Sequence, residues 1–458
     1  MGNREPLPAH SSWYLPLPWS GNLSRLVTSQ SPNSFNHLSS QTGENDGVPD
    51  HNAGYSSACP LNWLRMPHTL AQAVEGLTTV LAAVGMGYFL AALMAAYVFL
   101  VQRVPTSASF APGVSILKSL KGVDPGMLDA FRSHCTQNYA GDYELLFGVS
   151  SLDDPAVAAV EQLQREFPAC PIRLIECPQR LGSNGKVSNL VQLATHARHD
   201  YLLVNDSDIT VSPRYLERVM TQFPPAATAG GKPRPVGLVT ALYRGKAHGT
   251  IPSRLEALGI AADFQPSVLM ARWLESGLRY GLGSTLAVSR EALKAAGGLV
   301  VLVDHLADDY ELGARIYQAG FAIALSSEAV ETSVAAYSWR GFVNHQLRWY
   351  RTVHDARPRG YAGLVFTHGL VWALLNVLAS GASPVSLWIL AMSFFLRLTL
   401  AMTVGARVLA DHEVLPNLWL LPLRDVIAMG LWIAGFAGNT IVWRGERFTV
   451  KNGKLSPI

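Results

Sequence analysis

The sequence predicts an α/β protein in which a mostly parallel sheet is covered by helices and is flanked along the chain by membrane helices. Strand-like and helix-like patterns alternate from Pro112 to about Val300, as they do in chains of βαβ units. Gly76–Val101 carries no charged residue and is long enough to cross a bilayer, which takes about 20 apolar residues. Tyr361–Leu396 also lacks Asp, Glu, Lys and Arg, so membrane segments are expected after the sheet as well.

The composition argues against two classes of protein. With 458 residues the chain is long enough for one large domain plus membrane segments. Its mean hydropathy of +0.18, with 15% charged residues, is high for a purely soluble enzyme. The net charge of +3 is too small to indicate a nucleic-acid partner, and none is expected. The cysteines include no CxxC pair, so they indicate neither a zinc site nor a disulfide framework.

Changes in composition mark the expected domain boundaries. Residues 1–68 are rich in Ser, Asn, Pro, Gly and His and are expected to form a disordered extension. A transmembrane helix is expected over 72–103, followed by the α/β domain over 110–335. The remaining regions are an interfacial segment over 336–360, membrane segments over 361–443 and a basic tail over 444–458.

The elements of the α/β domain follow from hydrophobic periodicity and turn signals. Strands are expected at Val114–Leu117, Glu144–Val149, Ile172–Glu176, Tyr201–Asn205, Val236–Ala241 and Ser284–Val288. Helices are expected at Met127–Cys135, Pro155–Glu166, Lys186–Ala197 and Pro213–Gln222, with a further helix at Ala307–Ala319 after a pair of glycines.

The C-terminal third of the chain points to a membrane surface. Arginines mix with Trp339, Trp349 and Tyr350, which suits an interfacial helix on anionic lipid; the alternative is a solvated basic helix face. Membrane segments are expected on both sides of a tight turn at Ser380–Pro384, and again at Val426–Trp443. The basic tail favours the cytoplasm, whereas three simple spans would place it outside. One segment is therefore re-entrant or interfacial, or the orientation rule is weak here.

The stretch with the clearest chemical signal is Tyr201–Thr210, an apolar strand that stops at two carboxylates, Asp206 and Asp208. In open α/β sheets, ligands bind at the carboxyl ends of strands. Mg²⁺ or Mn²⁺ is commonly held there by one or two carboxylates together with substrate phosphates. We therefore expect Asp206 and Asp208 to form a metal and diphosphate site. The alternative is an Asx turn that caps the next helix.

Two further groups of residues suggest catalysis. Asp308 and Asp309 open a helix, where a carboxylate can be a simple capping group; Asp309 is the better candidate for a general base. Arg348 offers a planar fork that suits a diphosphate leaving group, and Trp349 can pack against a sugar or an acceptor. Structural packing is the alternative for this pair. Lys118 lies near the end of the first strand and is a candidate nucleotide contact.

Taken together, these motifs resemble those of inverting GT-A glycosyltransferases, and more specifically the ceramide glucosyltransferase family with its bacterial hopanoid-associated relatives. The matching motifs, in order, are DDPA at Asp153–Ala156, DSD at Asp206–Asp208, DDY at Asp308–Tyr310 and RW at Arg348–Trp349. Supporting stretches are Ser115–Gly126, Gly185–Leu190, Lys294–Leu299 and Ala307–Ile316. The likeness runs from about residue 75 to the C-terminus.

The resemblance implies a GT-A-type (Rossmann-like) fold and transfer of a hexose from a UDP-sugar to a lipid hydroxyl with inversion. It implies that Asp154 lies near the uridine and that Lys186 binds on the donor side. It also implies that Asp309 is the base and that Arg348 and Trp349 complete the (Gln/Arg)xxRW element. The sequence departs from this pattern at His345, where Gln or Arg is usual. His345 is still expected to bind substrate, because a neutral imidazole can donate one hydrogen bond and a protonated one can serve the phosphate.

The remaining expectations concern the acceptor, the location and rival functions. The acceptor is a membrane lipid, ceramide or a hopanoid, so a multi-pass membrane protein is expected. Its catalytic domain faces the cytoplasm, because UDP-sugars are cytosolic. The alternatives are a hopanoid-specific N-acetylglucosaminyl transferase, a processive polysaccharide synthase and a non-catalytic scaffold that binds nucleotide-sugar. A glycoside hydrolase also uses paired carboxylates but does not need a strand-end metal site.

Overall fold

The computed structural model describes residues 68–102, 110–224, 234–443 and 446–458. At its centre is an eight-stranded sheet. Its strands, in chain order, are β1 Val114–Ser119, β2 Tyr143–Val149, β3 Ile172–Glu176, β4 Tyr201–Val204, β5 Ile209–Thr210, β6 Val236–Ala247, β7 Leu286–Ser289 and β8 Ala322–Val334. The extension expected at its N-terminus, residues 1–68, lies outside the described residues except for the last one.

The sheet is mixed, with the strand order β3-β2-β1-β4-β7-β6-β8-β5. Strands β3, β2, β1 and β4 run parallel, as do β6 and β8. Strand β7 is antiparallel to both of its neighbours, and β5 is antiparallel to β8. The expected fold class, an α/β sheet domain, is confirmed. The sheet is less parallel than expected because β7, which lies in the middle of the sheet, runs antiparallel to its neighbours β4 and β6.

Successive side chains of the central strands pack on opposite faces of the sheet, as the two-residue period of a strand requires. In β4, Leu202 and Val204 belong to one hydrophobic core, while Leu203 belongs to the core on the other face. In β1, Leu117 and Ile116 divide between the two cores in the same way. Burying each of these side chains contributes roughly 1.5–3 kcal/mol. Because both faces are covered, β4 is a continuous apolar run in the sequence.

Nine helices in the described part of the chain follow or lie between the strands of the sheet domain. They are α2 Met127–Cys135, α3 Ala156–Glu166, α4 Gly185–His196, α5 Tyr215–Met220, α6 Ile251–Gly259, α7 Gln265–Leu274, α8 Arg290–Ala295, α9 Asp308–Gln318 and α10 Trp339–Ala356. Side-chain caps begin several of them: Asn184 accepts from the Val187 N–H at α4, and Ser338 accepts from the Gly341 N–H at α10.

The region between β6 and β7 differs from the sequence expectation, which placed no element there. Helices α6 and α7 are joined by a π-helical turn, Ile260–Phe264, into one nearly continuous helical stretch. Strands β5 and β8 were also not expected. Strand β8 contains small and polar residues, ALSSE, within its apolar run, so the two-residue alternation typical of a strand is weak in the sequence. It forms because it pairs with β6 along almost its whole length.

Apolar helices precede and follow the sheet domain. They are α1 His68–Val101, α11 Pro358–Gly363, α12 Gly369–Ala379, α13 Pro384–Met402, α14 Val414–Asn417 and α15 Leu421–Gly435. Among the described residues, three stretches are long and apolar enough to cross a membrane: Thr69–Val101, Pro384–Val408 and Val414–Gly435. A fourth, Pro358–Thr367 followed by Gly369–Ala379, is bent by 55°. The first segment expected after residue 361 is therefore a broken helix, which suits a broken span or a re-entrant loop.

The end of the chain forms a small sheet instead of the expected continuation of a membrane segment and a simple tail. Its antiparallel strands are β9 Thr440–Trp443, β10 Glu446–Lys451 and β11 Lys454–Pro457. The small sheet packs on the loop before α9. The Leu306 N–H donates to the Gly453 carbonyl at 3.0 Å, and the Leu455 N–H donates to the Asp304 carbonyl at 2.8 Å.

A buried group of charges joins the C-terminal helices to the sheet domain. Arg397 in α13 donates from Nε to Asp425 Oδ2 in α15 at 2.9 Å. It also donates from Nη1 to the Ala262 carbonyl at 2.6 Å and pairs with Asp263, both in the π-helical turn. Arg424 Nη2 lies 3.1 Å from Asp263 Oδ2. Burying an ion costs several kcal/mol, so these charges persist because they are paired.

The contact between α1 and α12 depends on two facing glycines, and this gives a first prediction. A methyl group on Gly85 would lie 2.2 Å from Gly369 Cα, whereas a methyl group on Gly87 would meet nothing within 4 Å. We expect Gly85→Ala to destabilise the protein by about 1–3 kcal/mol, the usual cost of overpacking. Gly87→Ala, the matched control, is expected to be neutral or stabilising by up to about 1 kcal/mol. Thermal unfolding in detergent measures both, and equal midpoints for the two variants would contradict the prediction.

Candidate active site

The candidate site lies where the parallel strands β1 and β4 end at the same edge of the sheet. Asp206 and Asp208 follow β4, as the sequence predicts. Lys118 in β1 is 1% exposed, and its ammonium donates to the Asp206 backbone carbonyl at 2.9 Å. Burial lowers the pKa of Lys118 to about 7, although the Asp208 and Asp206 carboxylates act in the opposite direction. In this structure Lys118 therefore supports the acidic loop through its backbone.

Lys186 brings the two main acidic clusters together. It lies in the first turn of α4, and its ammonium is 2.7 Å from Asp206 Oδ1 and 3.4 Å from Asp308 Oδ2. The Asn184 side chain also donates to Asp308 Oδ1 at 3.4 Å and to the His305 carbonyl at 2.8 Å. No side-chain cap begins α9, so the Asp308 carboxylate serves these contacts instead of capping its helix. Asn184 was not predicted as a site residue.

Asp309 shares a space with Asp206. A methyl group at Gly283 would lie 3.0 Å from Asp309 Oδ2 and 3.7 Å from Asp206 Oδ2, so both carboxylates face this glycine. Any side chain at position 283 would fill the space between them. Burial and then the neighbouring Asp308 raise the pKa of Asp309 to about 6, while Lys186 partly opposes that shift. Two carboxylates that are distant in sequence therefore open onto one region.

Asp208 forms a hydrogen bond with the neighbouring strand β8. Thr332 in β8 donates its hydroxyl to Asp208 Oδ2. Burial and the nearby Asp206 raise the pKa of Asp208 to about 6, with a smaller contribution from Asp124. Asp124 was not predicted, and it accepts a hydrogen bond from Ser207 between the two strand-end acids. Its only sequence signal is its place in the supporting stretch Ser115–Gly126.

These carboxylates fit a divalent cation that also binds substrate phosphates. Within the described ranges, no three or more His, Cys, Asp and Glu side chains form a ready-made metal site. Mg²⁺ and Mn²⁺ do not require one, because one or two carboxylates plus phosphate oxygens are a common ligand set. Burial and then the charge of Asp206 raise the pKa of Asp208, and a bound cation would offset both effects. Asp206 and Asp208 thus fit the expected ion.

Asp154 has a structural role in the loop next to this edge. Its carboxylate accepts from the Gly122 N–H at 2.9 and 3.1 Å and from the Ala156 N–H at 2.9 Å. It therefore joins the loop after β1 to the start of α3. Gly122 has φ of 71°, which favours glycine at this contact. Asp154 holds this loop in place by hydrogen bonds to its backbone.

The third part of the site lies on α10, where His345, Arg348 and Trp349 share one helix face. His345 Nδ1 is 3.1 Å from Glu256 Oε2, and Arg348 Nη2 is 3.0 Å from His345 Nε2. The Arg348 guanidinium lies 5.2 Å from the ring centre of Trp349, which is 41% exposed. Glu256, on α6, was not predicted, since that helix was itself unexpected.

The pKa values of two tyrosines respond to charges in this region. Burial raises the pKa of Tyr337, and Glu256 and Asp208 act in the same direction while Arg348 opposes it. Burial also raises the pKa of Tyr243, and the next contributions come from the following carboxylates: Asp309, Glu256, Asp206 and Asp208. Tyr337 is thus within electrostatic reach of Arg348 on α10 and of Asp208, while Tyr243 is within reach of Glu256 on α6 and of the acids at the sheet edge.

Comparison with known proteins gives the class of the protein and then its family. The class is that of the glycosyltransferases, by membership of one of their families. The family profile described as glycosyl transferase family 21 matches residues 77–456, and the chain belongs to this family. Together with the relatives described next, this match confirms the resemblance to ceramide glucosyltransferases.

Individual relatives are more distant. Ceramide glucosyltransferase 3 of Caenorhabditis elegans is 28% identical over 252 residues, which are 52% of this chain and 50% of that protein. Ceramide glucosyltransferase 1 of the same organism is 23% identical over 75% of this chain and 72% of its own length. The chain thus spans about half the length of the first relative. Among solved structures, a mannosyltransferase from Pyrobaculum calidifontis in complex with GDP-Man and Mn²⁺ is 18% identical, with a TM-score of 0.47, over 79% of this chain and 97% of its own.

The hydrogen bond from Thr332 to Asp208 generates a second prediction. Removing this bond in Thr332→Val should raise the pKa of Asp208 further and leave less carboxylate to bind a cation in mild acid. Because a hydrogen bond to a charged group contributes about 1.5–3 kcal/mol, we expect Mn²⁺ affinity at pH 6 to fall roughly tenfold. At pH 8 the two proteins should differ much less.

Mn²⁺ titration followed by electron paramagnetic resonance measures this effect. Thr210→Val is the matched control for disturbance of β8, because Thr210 lies in β5 directly opposite Glu331 of β8. An equal loss of affinity at both pH values in Thr332→Val would show that the hydroxyl acts by a route other than the pKa.

Proposed function

We propose that the protein transfers a hexose from a UDP-sugar to the hydroxyl of a membrane lipid, ceramide or a hopanoid, with inversion at the anomeric carbon. The observation that carries the proposal is the convergence of Asp206 and Asp309 on Gly283, beside Lys186. Inverting transfer needs two kinds of group close together: a base that takes the proton of the acceptor hydroxyl, and groups that stabilise the leaving diphosphate. Its relatives named as ceramide glucosyltransferases support this lipid class of acceptor.

Asp309 is proposed as the general base. As the lipid oxygen bonds to the anomeric carbon, its proton passes to the Asp309 carboxylate. The bond from that carbon to the diphosphate oxygen breaks on the opposite face, which inverts the configuration. A raised pKa of about 6 suits this role, because the group is mostly ionised at neutral pH and still a useful base.

The donor diphosphate is proposed to bind beside Asp206 and Asp208. These two residues would hold Mg²⁺ or Mn²⁺, which, when bound, neutralises charge on the leaving diphosphate. Arg348 offers a planar donor fork to the same group, and Lys186 adds a positive charge on the donor side. Lys118 and Asp154 act through the backbone, by holding the loops that face the nucleotide and its uridine.

Trp349 and the apolar helices are proposed to present the acceptor. The exposed Trp349 ring is suited to packing against a sugar or a lipid chain. Its helix α10 carries arginines and tryptophans directly before the apolar segments, as an interfacial helix does. We infer a multi-pass membrane protein whose catalytic domain faces the cytoplasm, where UDP-sugars occur.

The proposed base gives a third prediction. Asp309→Asn should lower kcat by a factor of about 10²–10⁴, the usual contribution of a general base. Asp153→Asn, an exposed acid of the DDPA motif, is the control and should stay within a few-fold of the wild type. The assay supplies UDP-glucose or UDP-N-acetylglucosamine with ceramide or a hopanoid polyol in mixed micelles, and mass spectrometry identifies the product.

The product also separates the rival functions. A glycolipid with inverted anomeric configuration, read by nuclear magnetic resonance, supports the proposal. A sugar polymer would indicate a polysaccharide synthase, and donor binding without turnover would indicate a scaffold. If Asp309→Asn keeps near wild-type kcat, another residue is the base.

The charges around Asp309 give a fourth prediction, on pH dependence. Asp308 raises the pKa of Asp309 and Lys186 lowers it. A base must be deprotonated, so activity should rise with pH through the pKa near 6. Asp308→Asn should therefore move the acid limb of kcat/KM to lower pH, and Lys186→Met should move it to higher pH. Rate profiles between pH 5 and 8 measure the shifts, and shifts in the same direction for both variants would contradict the assignment.

A further inference from the structure

Glu256 is a buried acid on α6 that the proposed transfer does not use. We propose that Glu256 and His345 are positioning residues for Arg348: Glu256 fixes the ring of His345, and His345 fixes the guanidinium that serves the leaving diphosphate. The inference rests on the proposed function, because it assigns Arg348 to the leaving group. It adds two residues that act through Arg348 without touching substrate.

Hydrogen-bond chemistry determines the state of His345. A guanidinium has only donors, so the contact of 3.0 Å between Arg348 Nη2 and His345 Nε2 requires Nε2 to accept. A neutral imidazole that accepts at Nε2 carries its proton at Nδ1. That nitrogen lies 3.1 Å from Glu256 Oε2, an acceptor. One tautomer of His345 therefore satisfies both contacts in a single directed chain.

Aromatic packing holds the same ring in orientation. Tyr337 stacks on His345 with ring centres 5.2 Å apart and an angle of 25°. Trp349 meets the ring edge-on at 6.4 Å and 83°. The histidine thus cannot rotate without losing two ring contacts and two hydrogen bonds. Arg348, in turn, packs on Trp349, so the chain of contacts ends on the motif itself.

The burial of Glu256 indicates that its carboxylate orients His345. The residue is 8% exposed, and a buried carboxylate costs several kcal/mol unless it is paired. Its described side-chain partner is His345. A neutral His345 gives Glu256 a hydrogen bond but no opposite charge. The pair therefore offsets only part of the free-energy cost of burying the carboxylate, and stability does not explain it. Its effect is to set which nitrogen of the histidine faces Arg348.

The test uses steady-state kinetics of the full-length protein with UDP-sugar and lipid in mixed micelles. Glu256→Ala is expected to lower kcat by about tenfold to a hundredfold, as loss of orientation does, with little change in KM for the lipid. Glu256→Gln should stay within about threefold, because its amide oxygen still accepts from Nδ1–H. Glu256→Asp keeps the charge but withdraws it by one methylene, should lose about tenfold, and replaces Glu256→Ala if that variant does not fold.

A double-mutant cycle distinguishes positioning through His345 from a purely structural role of Glu256. Glutamine at position 345 presents an amide oxygen to Arg348 without any tautomer to set. In the His345→Gln background, Glu256→Ala should therefore cost much less kcat than it does with His345 present. Glu328→Ala is the control for loss of a buried acid; Glu328 is 4% exposed and pairs with Arg218 at 2.5 Å outside the site. It should lower thermal stability but leave the kcat of folded protein unchanged.

Three results would overturn the inference: wild-type kcat in Glu256→Ala, an equal loss in Glu256→Gln and Glu256→Ala, or an unchanged effect of Glu256→Ala in the His345→Gln background. Each of them is read against an active wild type. Absence of glycolipid from the wild type itself would instead reject the proposed function.

Discussion

The ammonium of Lys186 lies between two carboxylates from distant parts of the chain, Asp206 after β4 and Asp308 at the start of α9. Without a cation between them, these acids and the adjacent Asp309 would repel one another in a partly buried space. The lysine in turn is held by α4, whose first turn is capped by Asn184. The edge of the sheet after β4, the start of α4 and the start of α9 are thus connected through one charge, and the geometry over Gly283 depends on it.

A second set of charges fixes this site relative to the apolar helices. Arg397 and Asp425 belong to helices that are apolar enough to cross a membrane, and Asp263 and Ala262 belong to the π-helical turn after α6. Ionisable residues in such helices are costly and occur where they face protein partners. Glu256 lies on the same helix α6, about one turn before Gly259, against which the Arg424 guanidinium packs. The apolar helices and the α10 motif are therefore joined through a single short element.

The sequence predicted best what local periodicity and strand ends determine. Strand β4 is an uninterrupted apolar run, and strands β1 to β3 each contain a shorter one. Asp206 and Asp208 stand out because acids rarely end a buried strand without a partner. Residues that act through tertiary contact have no such pattern: Asn184, Thr332 and Glu256 are ordinary polar residues until the fold brings them to Asp308, Asp208 and His345. Strand β8 was missed because its pairing with β6, not its own composition, makes it a strand.

The small C-terminal sheet has a consequence for how the protein is made. Its backbone bonds from Gly453 and Leu455 secure Leu306 and Asp304, only a few residues before Asp308 and Asp309. Synthesis must therefore proceed through Leu455, past the described apolar helices, before this loop can take its final form. In a nascent chain, the segment that leads into Asp308 and Asp309 would stay without these backbone partners until those helices have been made.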